Sequence, residues 1–289
     1  MSLRGKTVFI TGASRGIGHA VAMRLAREGA NIAIAAKTAQ PHPKLRGTIY
    51  SAATDVEAAG GHALPLTVDV RDESAVQTAI DATVARFGGI DIVVNNASAI
   101  SRTPTEETDM KRYDLMQQVN ARGTFLVSKL AIPHLKKASN PHVLTLAPPL
   151  NLDPRWFKAH VAYTMSKYGM SMCTLGMAAE FAEVGIAFNA LWPRFGIATA
   201  AIEFAVASPD ELRKCRKPQI MAEAAYAILR RPARSCTGNF FIDDSLLYAE
   251  GVRDFSQYRV GPSAALRPGM FLADTDAPPP GADTDQQWA

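Results

Sequence analysis

Short apolar runs alternate with longer amphipathic stretches along most of the chain. The runs fall at 7–10, 32–36, 63–68, 90–94, 142–146, 186–191 and 239–242. Between them, apolar residues recur at helical spacing over roughly 16–28, 48–59, 72–87, 109–137, 159–183 and 219–230. Near-continuous apolar runs are the mark of strands buried on both faces, and strands separated by helices imply right-handed crossovers into a parallel sheet. The pattern predicts one α/β domain over residues 1–260, a doubly wound, Rossmann-type sheet of seven parallel strands with helices on both faces. Residues 261–289, where Pro278-Pro279-Pro280-Gly281 leads into polar positions, read as a C-terminal tail that is flexible in part.

Composition narrows the class. With 289 residues, 47% of them hydrophobic, the chain has ample material for a large core. No apolar run approaches the roughly 20 residues of a membrane span, and no signal-peptide pattern precedes the first strand, so a cytoplasmic location is expected. Cys173, Cys215 and Cys236 are isolated and lack metal-ligand spacing, as do the six histidines, so no metal site is expected. The net charge is only +4, yet residues 1–47 carry eight Lys and Arg against the single acid Glu28. No reading helix, zinc spacing or aromatic interleaving accompanies these charges, which speaks against nucleic acid.

A better explanation lies in the loop Thr11-Gly12-Ala13-Ser14-Arg15-Gly16-Ile17-Gly18, which follows the first predicted strand and opens the first predicted helix. Glycines there let the backbone turn sharply and approach a pyrophosphate held at the helix N-terminus. An NAD site usually places an acid about 20 residues on, for the ribose hydroxyls. No carboxylate stands between Glu28 and Asp55; the second strand ends instead in Lys37, followed by Lys44 and Arg46. A 2′-phosphate needs cations, and Lys37 with Arg15 supplies them, so NADP(H) is expected over NAD(H).

Tyr163 and Lys167 are four residues apart on a predicted helix and share one face. A free tyrosine ionises near pH 10. A neighbouring ammonium favours the phenolate and lowers that pKa, so the pair suits proton exchange with a carbonyl or alcohol oxygen.

The glycine loop, Asn95-Asn96-Ala97-Ser98 after the fourth strand, Asn120 in the next long helix and Tyr163-Thr164-Met165-Ser166-Lys167 together resemble the short-chain dehydrogenase/reductase family across about residues 5–245. The segments at 36–44, 148–152, 168–172 and 190–193 are similar to one branch of it. The resemblance implies that Lys167 also binds the nicotinamide ribose and that Asn120 holds a water in a proton relay. It further implies cofactor contacts from Asp69, Val70, Asn95, Ala97, Pro193 and Thr199, and pairing of the long helices into a homodimer or homotetramer. As plain structure, Asp69 would cap a helix and Asn95 would fix a strand end.

The family pattern breaks at the fifth strand, where counting puts Pro148 in place of the usual catalytic Ser. Proline has neither hydroxyl nor N–H, and losing one oxyanion donor typically costs about 10²–10³ in rate. Asn151 and His160 are candidate substitutes. Arg194 either meets an anionic group of the substrate or stays solvated. Trp156, Phe157 and the apolar residues at 195–206 suggest a lipid-like substrate, a fatty acyl or sterol carbonyl or alcohol. The reading is an NADP-dependent oxidoreductase; the alternative is a non-catalytic NADP-binding sensor or lipid-binding module.

Overall fold

Strands form where the apolar runs lie: β1 (Thr7–Thr11), β2 (Asn31–Ala36), β3 (His62–Thr67), β4 (Ile92–Asn95), β5 (His142–Thr145), β6 (Ala187–Trp192) and β7 (Phe240–Ile242). In the computed structural model they make one sheet, all parallel, in the order β3-β2-β1-β4-β5-β6-β7. The structure describes residues 1–43, 45–200, 202, 209–262 and 265–282.

Alternation along each strand splits the core in two. Val8, Ile10, Ile32 and Ile34 point to one face, under α1 (Gly16–Ala26), α2 (Ile49–Ala58) and the helix Gln219–Leu229. Phe9, Ala33, Val93 and Val143 point to the other, under α3 (Glu73–Phe87), α5 (Gly123–Leu135) and α7 (Val161–Glu180). Each fully buried Val, Leu, Ile or Phe contributes about 1.5–3 kcal/mol, so both faces are needed for stability. Pro65, which has no N–H to give a ladder, sits in β3 at the sheet edge, where it is tolerated.

The predicted long helix over 109–137 is divided. α4 (Met110–Met116) runs into a π-helical turn, Gln117–Arg122, before α5. Asn120 lies in that turn. A short α6 (Arg155–Lys158) precedes α7.

The segment after 261 departs from the reading of a tail over its described part. Leu266, Phe271, Leu272 and Ala282 are buried, and Asn151 Nδ2 donates to Leu272 O at 3.0 Å. Apolar anchors spaced along a Pro- and Gly-rich stretch tie it down despite its composition.

Candidate active site

The strand order reverses between β1 and β4, and the crevice outside their C-terminal ends is where doubly wound sheets bind ligands. Gly12 and Gly16 have φ of +69° and +61°, open to glycine at little cost. A Cβ on Gly18 would stand 2.5 Å from Asn96 Nδ2 and 2.8 Å from Gly12 O, so only glycine lets α1 lie this close to the loop. Its N-cap residue, Arg15, makes no side-chain capping bond, which leaves the first-turn N–H groups facing the cleft.

That cleft, of about 520 Å³, is lined by Gly12, Ser14, Arg15, Gly16 and Ile17 on one side and by Lys37, Asp69, Val70, Asn96, Ala97 and Thr199 on others. A Cβ on Gly16 would sit 3.5 Å from Thr199 Cγ2, closing the throat between them. Ala13 is buried beneath the loop. A dinucleotide fits this arrangement: bare backbone and a helix N-terminus for the diphosphate, a cation where an acid would bind ribose hydroxyls.

Lys37 Nζ lies 3.0 Å from Asp69 Oδ2, and Arg71 Nη2 lies 2.6 Å from the same oxygen. These bonds, Arg71 foremost, hold the Asp69 carboxyl well below the usual carboxylate range. Asp69 does not cap α3; Asp72 does, accepting from Ser74 N and Ala75 N. Arg15 reaches the carbonyls of Arg46 and Gly47 at 3.0 and 2.7 Å, holding the loop after β2 over the cleft. Lys44 lies outside the described residues.

At the end of β4 the two asparagines divide the work. Asn95 is buried and donates to Ser128 Oγ at 3.0 Å, which fixes the strand to α5. Asn96 lines the cleft, and its Nδ2 ties down Thr11 O and Gly12 O at 2.9 and 3.1 Å. The sequence reading named Asn95 alone; alternation at a strand end is what separates neighbours this way.

Beyond the cleft lies a cavity of about 230 Å³ that holds Tyr163 and Lys167 together, with Pro193, Thr199 and an apolar wall including Ile100, Leu146, Trp192, Met221 and Met270. Lys167 is buried, and its Nζ donates to Leu146 O at 2.6 Å. Burial lowers its pKa to about 7. Burial likewise pushes the Tyr163 hydroxyl up to about 12, opposed by the charge of Arg102. The expected lowering by Lys167 is not what sets this hydroxyl: desolvation penalises the phenolate, and the opposing charge is that of Arg102. Asn120 is fully buried; its Oδ1 accepts from Ala99 N at 2.7 Å and its Nδ2 donates to Ala99 O and Ser166 Oγ, both at 2.9 Å. Its side chain clamps the loop after β4 to α7, and the π-turn re-aims its backbone.

The two proposed stand-ins for the Ser differ. Asn151 is engaged with Leu272 O and with Asp153 N. The His160 ring sits 6.1 Å from the Tyr163 ring, and its Nε2 is buried with no hydrogen bond among the described residues. Burial, with Arg102 nearby, lowers the His160 pKa and so disfavours the charged ring. Pro148 O accepts from Ser171 Oγ at 2.7 Å.

Two expectations are corrected. Arg194 is neither solvated nor in the cavity: it is 1% exposed and its Nε bonds Asp244 at 2.7 Å. Trp156 and Phe157 do not line the cavity but pack on Phe271 and Tyr168. Of the apolar loop, Phe195, Ile197 and Ile202 line the cavity, while Phe204 and Val206 lie outside the described residues. Sequence reasoning missed Arg102, Met270 and Phe271. Phe271, at φ +74°, packs against Tyr163, Tyr168 and Trp192 with ring centroids 6.3, 5.3 and 5.7 Å away. No local signal in the sequence marks it.

Comparison with known proteins agrees with this geometry. The family described as short chain dehydrogenase matches residues 6–204. Hydroxysteroid dehydrogenase-like protein 2 of Danio rerio is 59% identical over 270 residues, 93% of this chain and 64% of that protein. The human protein of that name is 57% identical over 270 residues, again 93% and 64%. The chain thus spans just under two thirds of the length of these relatives. A crystal structure of a putative dehydrogenase from Xanthomonas campestris is 56% identical, with a TM-score of 0.92 over 95% of this chain and all of that one. The branch suggested by the segments at 36–44 and 148–152 is the one these relatives represent. With the glycine loop, the Tyr163–Lys167 pair and the seven-stranded parallel sheet in their places, the chain belongs to the short-chain dehydrogenase family.

Proposed function

We propose that the protein is an NADP-dependent oxidoreductase that interconverts a carbonyl and a secondary alcohol on a largely apolar, lipid-like substrate. The observation that carries this reading is the presence of Tyr163 and Lys167 in one apolar cavity that adjoins the glycine-loop cleft. Gly12 to Gly18, Asn96, Thr199 and Lys167 would hold the dinucleotide, which when bound exchanges a hydride with the substrate carbon. Tyr163, kept protonated by burial, gives its proton to the carbonyl oxygen as negative charge builds there. Lys167, when charged, favours the phenolate left behind and orients it. By the family resemblance, Asn120 would hold a water that returns a proton. The Trp192, Ile100 and Met221 wall excludes bulk water from the reacting atoms and favours an apolar body. Exposed Phe125, Met172 and Leu175 on α5 and α7 support pairing of these helices across a two-fold axis.

The test uses NADPH carrying deuterium at the transferable position, mixed with the protein and a cellular extract of lipids and carbonyls. Deuterated alcohols detected by mass spectrometry are the expected result. Tight NADPH binding with no labelled product would favour the second reading, a non-catalytic sensor, to which the missing hydroxyl at Pro148 already points.

The NADP preference rests on Lys37 and on Arg15, which stands between the cleft and a neighbouring basic recess lined by His19, Arg27 and Arg46. Charge-assisted hydrogen bonds contribute about 1.5–3 kcal/mol. Lys37 is 63% exposed and therefore partly screened. Lys37→Ala is expected to weaken NADPH binding about tenfold in a fluorescence titration and NADH binding less than about twofold. Equal losses, or equal wild-type affinity for both, would remove the preference.

A further inference from the structure

Three cations, Arg102, Lys167 and Arg267, and no carboxylate are among the described residues lining the catalytic cavity. Two of the three have evident partners. Lys167 is turned onto Leu146 O, and Arg267 Nη1 lies 3.7 Å from Glu211 Oε2. Arg102 has none of comparable strength: its contact among the described residues is Nη1 to Met270 Sδ at 3.8 Å, a weak acceptor. It sits half-buried on the loop after β4, near enough to Tyr163 and His160 for its charge to act on both. A half-buried guanidinium beside a mostly apolar cavity, with no carboxylate among the described lining residues, is a ready partner for an incoming anion.

We propose that Arg102 recognises a carboxylate on the substrate, so that the molecule turned over is a keto or hydroxy acid with an apolar body. This rests on the oxidoreductase reading for the words "turned over", but the anion site itself does not. The planar fork of arginine matches a carboxylate with two parallel hydrogen bonds, and Arg102 lines the cavity with no acid bonded to it among the described residues. The cavity, at about 230 Å³, suits a compact acid head beside the reacting carbon better than a bulky one. The apolar Ile100 and Met270 flank Arg102 and would cover the chain that follows the head.

The experiment measures binding, not turnover. Protein saturated with NADP⁺ is titrated with hexanoate and with hexanamide, following intrinsic tryptophan fluorescence, to which Trp192 contributes from the cavity wall. Wild type is expected to bind hexanoate at least about tenfold more tightly than hexanamide, the ratio a charge-assisted pair gives. Arg102→Gln is expected to reduce the preference below about twofold, Arg102→Lys to keep part of it, and Arg267→Gln to leave it intact. NADP⁺ affinity serves as the folding control for each variant. Equal binding of the two probes by wild type, binding of neither, or a preference that survives Arg102→Gln overturns the proposal. A preference lost in Arg267→Gln instead also overturns it. Selective hexanoate binding by a protein that transfers no deuterium would leave the anion site standing and remove the oxidoreductase reading; labelled products without selectivity would do the reverse.

Discussion

Tyr163→Phe is expected to lower carbonyl reduction about 10²–10⁴-fold with NADPH affinity unchanged, the usual scale for a general acid. The hydroxyl is the one group in the cavity that burial keeps protonated at neutral pH, its pKa standing at about 12. Lys167→Met is expected to cause a comparable loss, but with an opposite effect on stability. Lys167 has a pKa of about 7 in the folded protein against an ordinary 10.5. Between those values the unfolded chain binds more protons, so stability rises with pH and falls as the medium is acidified toward 7. At pH 7 the penalty is about 4 kcal/mol. Met removes it but leaves Leu146 O without its donor, which costs about 1–3 kcal/mol. The net gain should raise the Tm at pH 7 by roughly 5 °C, and the gain should shrink toward pH 10. Thermal unfolding of the cofactor-free protein at both pH values checks this. A variant less stable than wild type at pH 7 would mean that the Lys167 amine is better solvated than its burial implies.

The two halves of this site differed in how far the sequence revealed them, and the reason is sequence distance. The glycine loop lies within eight residues and the Tyr163–Lys167 pair within one helical turn, so each shows as a local pattern. The strands were equally plain, because burial on both faces leaves few polar positions inside them. Asn120 is singled out only by the family resemblance, and the π-turn that holds it has no compositional mark. Arg194 was misread because its partner Asp244 is 50 residues on, and nothing near Arg194 declares a buried carboxylate. Phe271 was missed for the same reason. It meets Tyr163 across more than a hundred residues, from a stretch whose prolines and glycines suggested a tail. Arg102 lies in a loop without periodicity, where only the fold shows what a charge faces.

The same non-local network carries the second large expectation. Asp244 is wholly buried and binds two buried guanidiniums: Arg194 Nε at 2.7 Å and Arg216 Nη1 at 3.1 Å. Arg194 also donates to Ser245 Oγ at 2.6 Å and to Asp276 O, and Arg216 donates to Ala282 O at 2.8 Å. One carboxylate thus pins the turn after β6, the helix Asp243–Ala249 and the returning C-terminal segment. Removing one member of a buried ion pair typically costs about 3–5 kcal/mol, because the remaining charge is left uncompensated. Two guanidiniums would lose this partner while Asp243, which accepts from Arg194 N at 2.9 Å, remains beside them, so Asp244→Ala is expected within that range, with a Tm lower by on the order of 10 °C. The effect should reach the cavity. Gly269 N donates to Arg194 O at 2.7 Å, and a Cβ on Gly269 would meet that oxygen at 2.6 Å, so Met270 and Phe271 are placed by Arg194. At temperatures where the variant is folded, substrate KM should rise, with a smaller change in NADPH affinity, to which the glycine loop contributes independently of this network. A Tm within about 2 °C of wild type would show that the network adds little, and unchanged KM would show that the C-terminal segment holds its place without it.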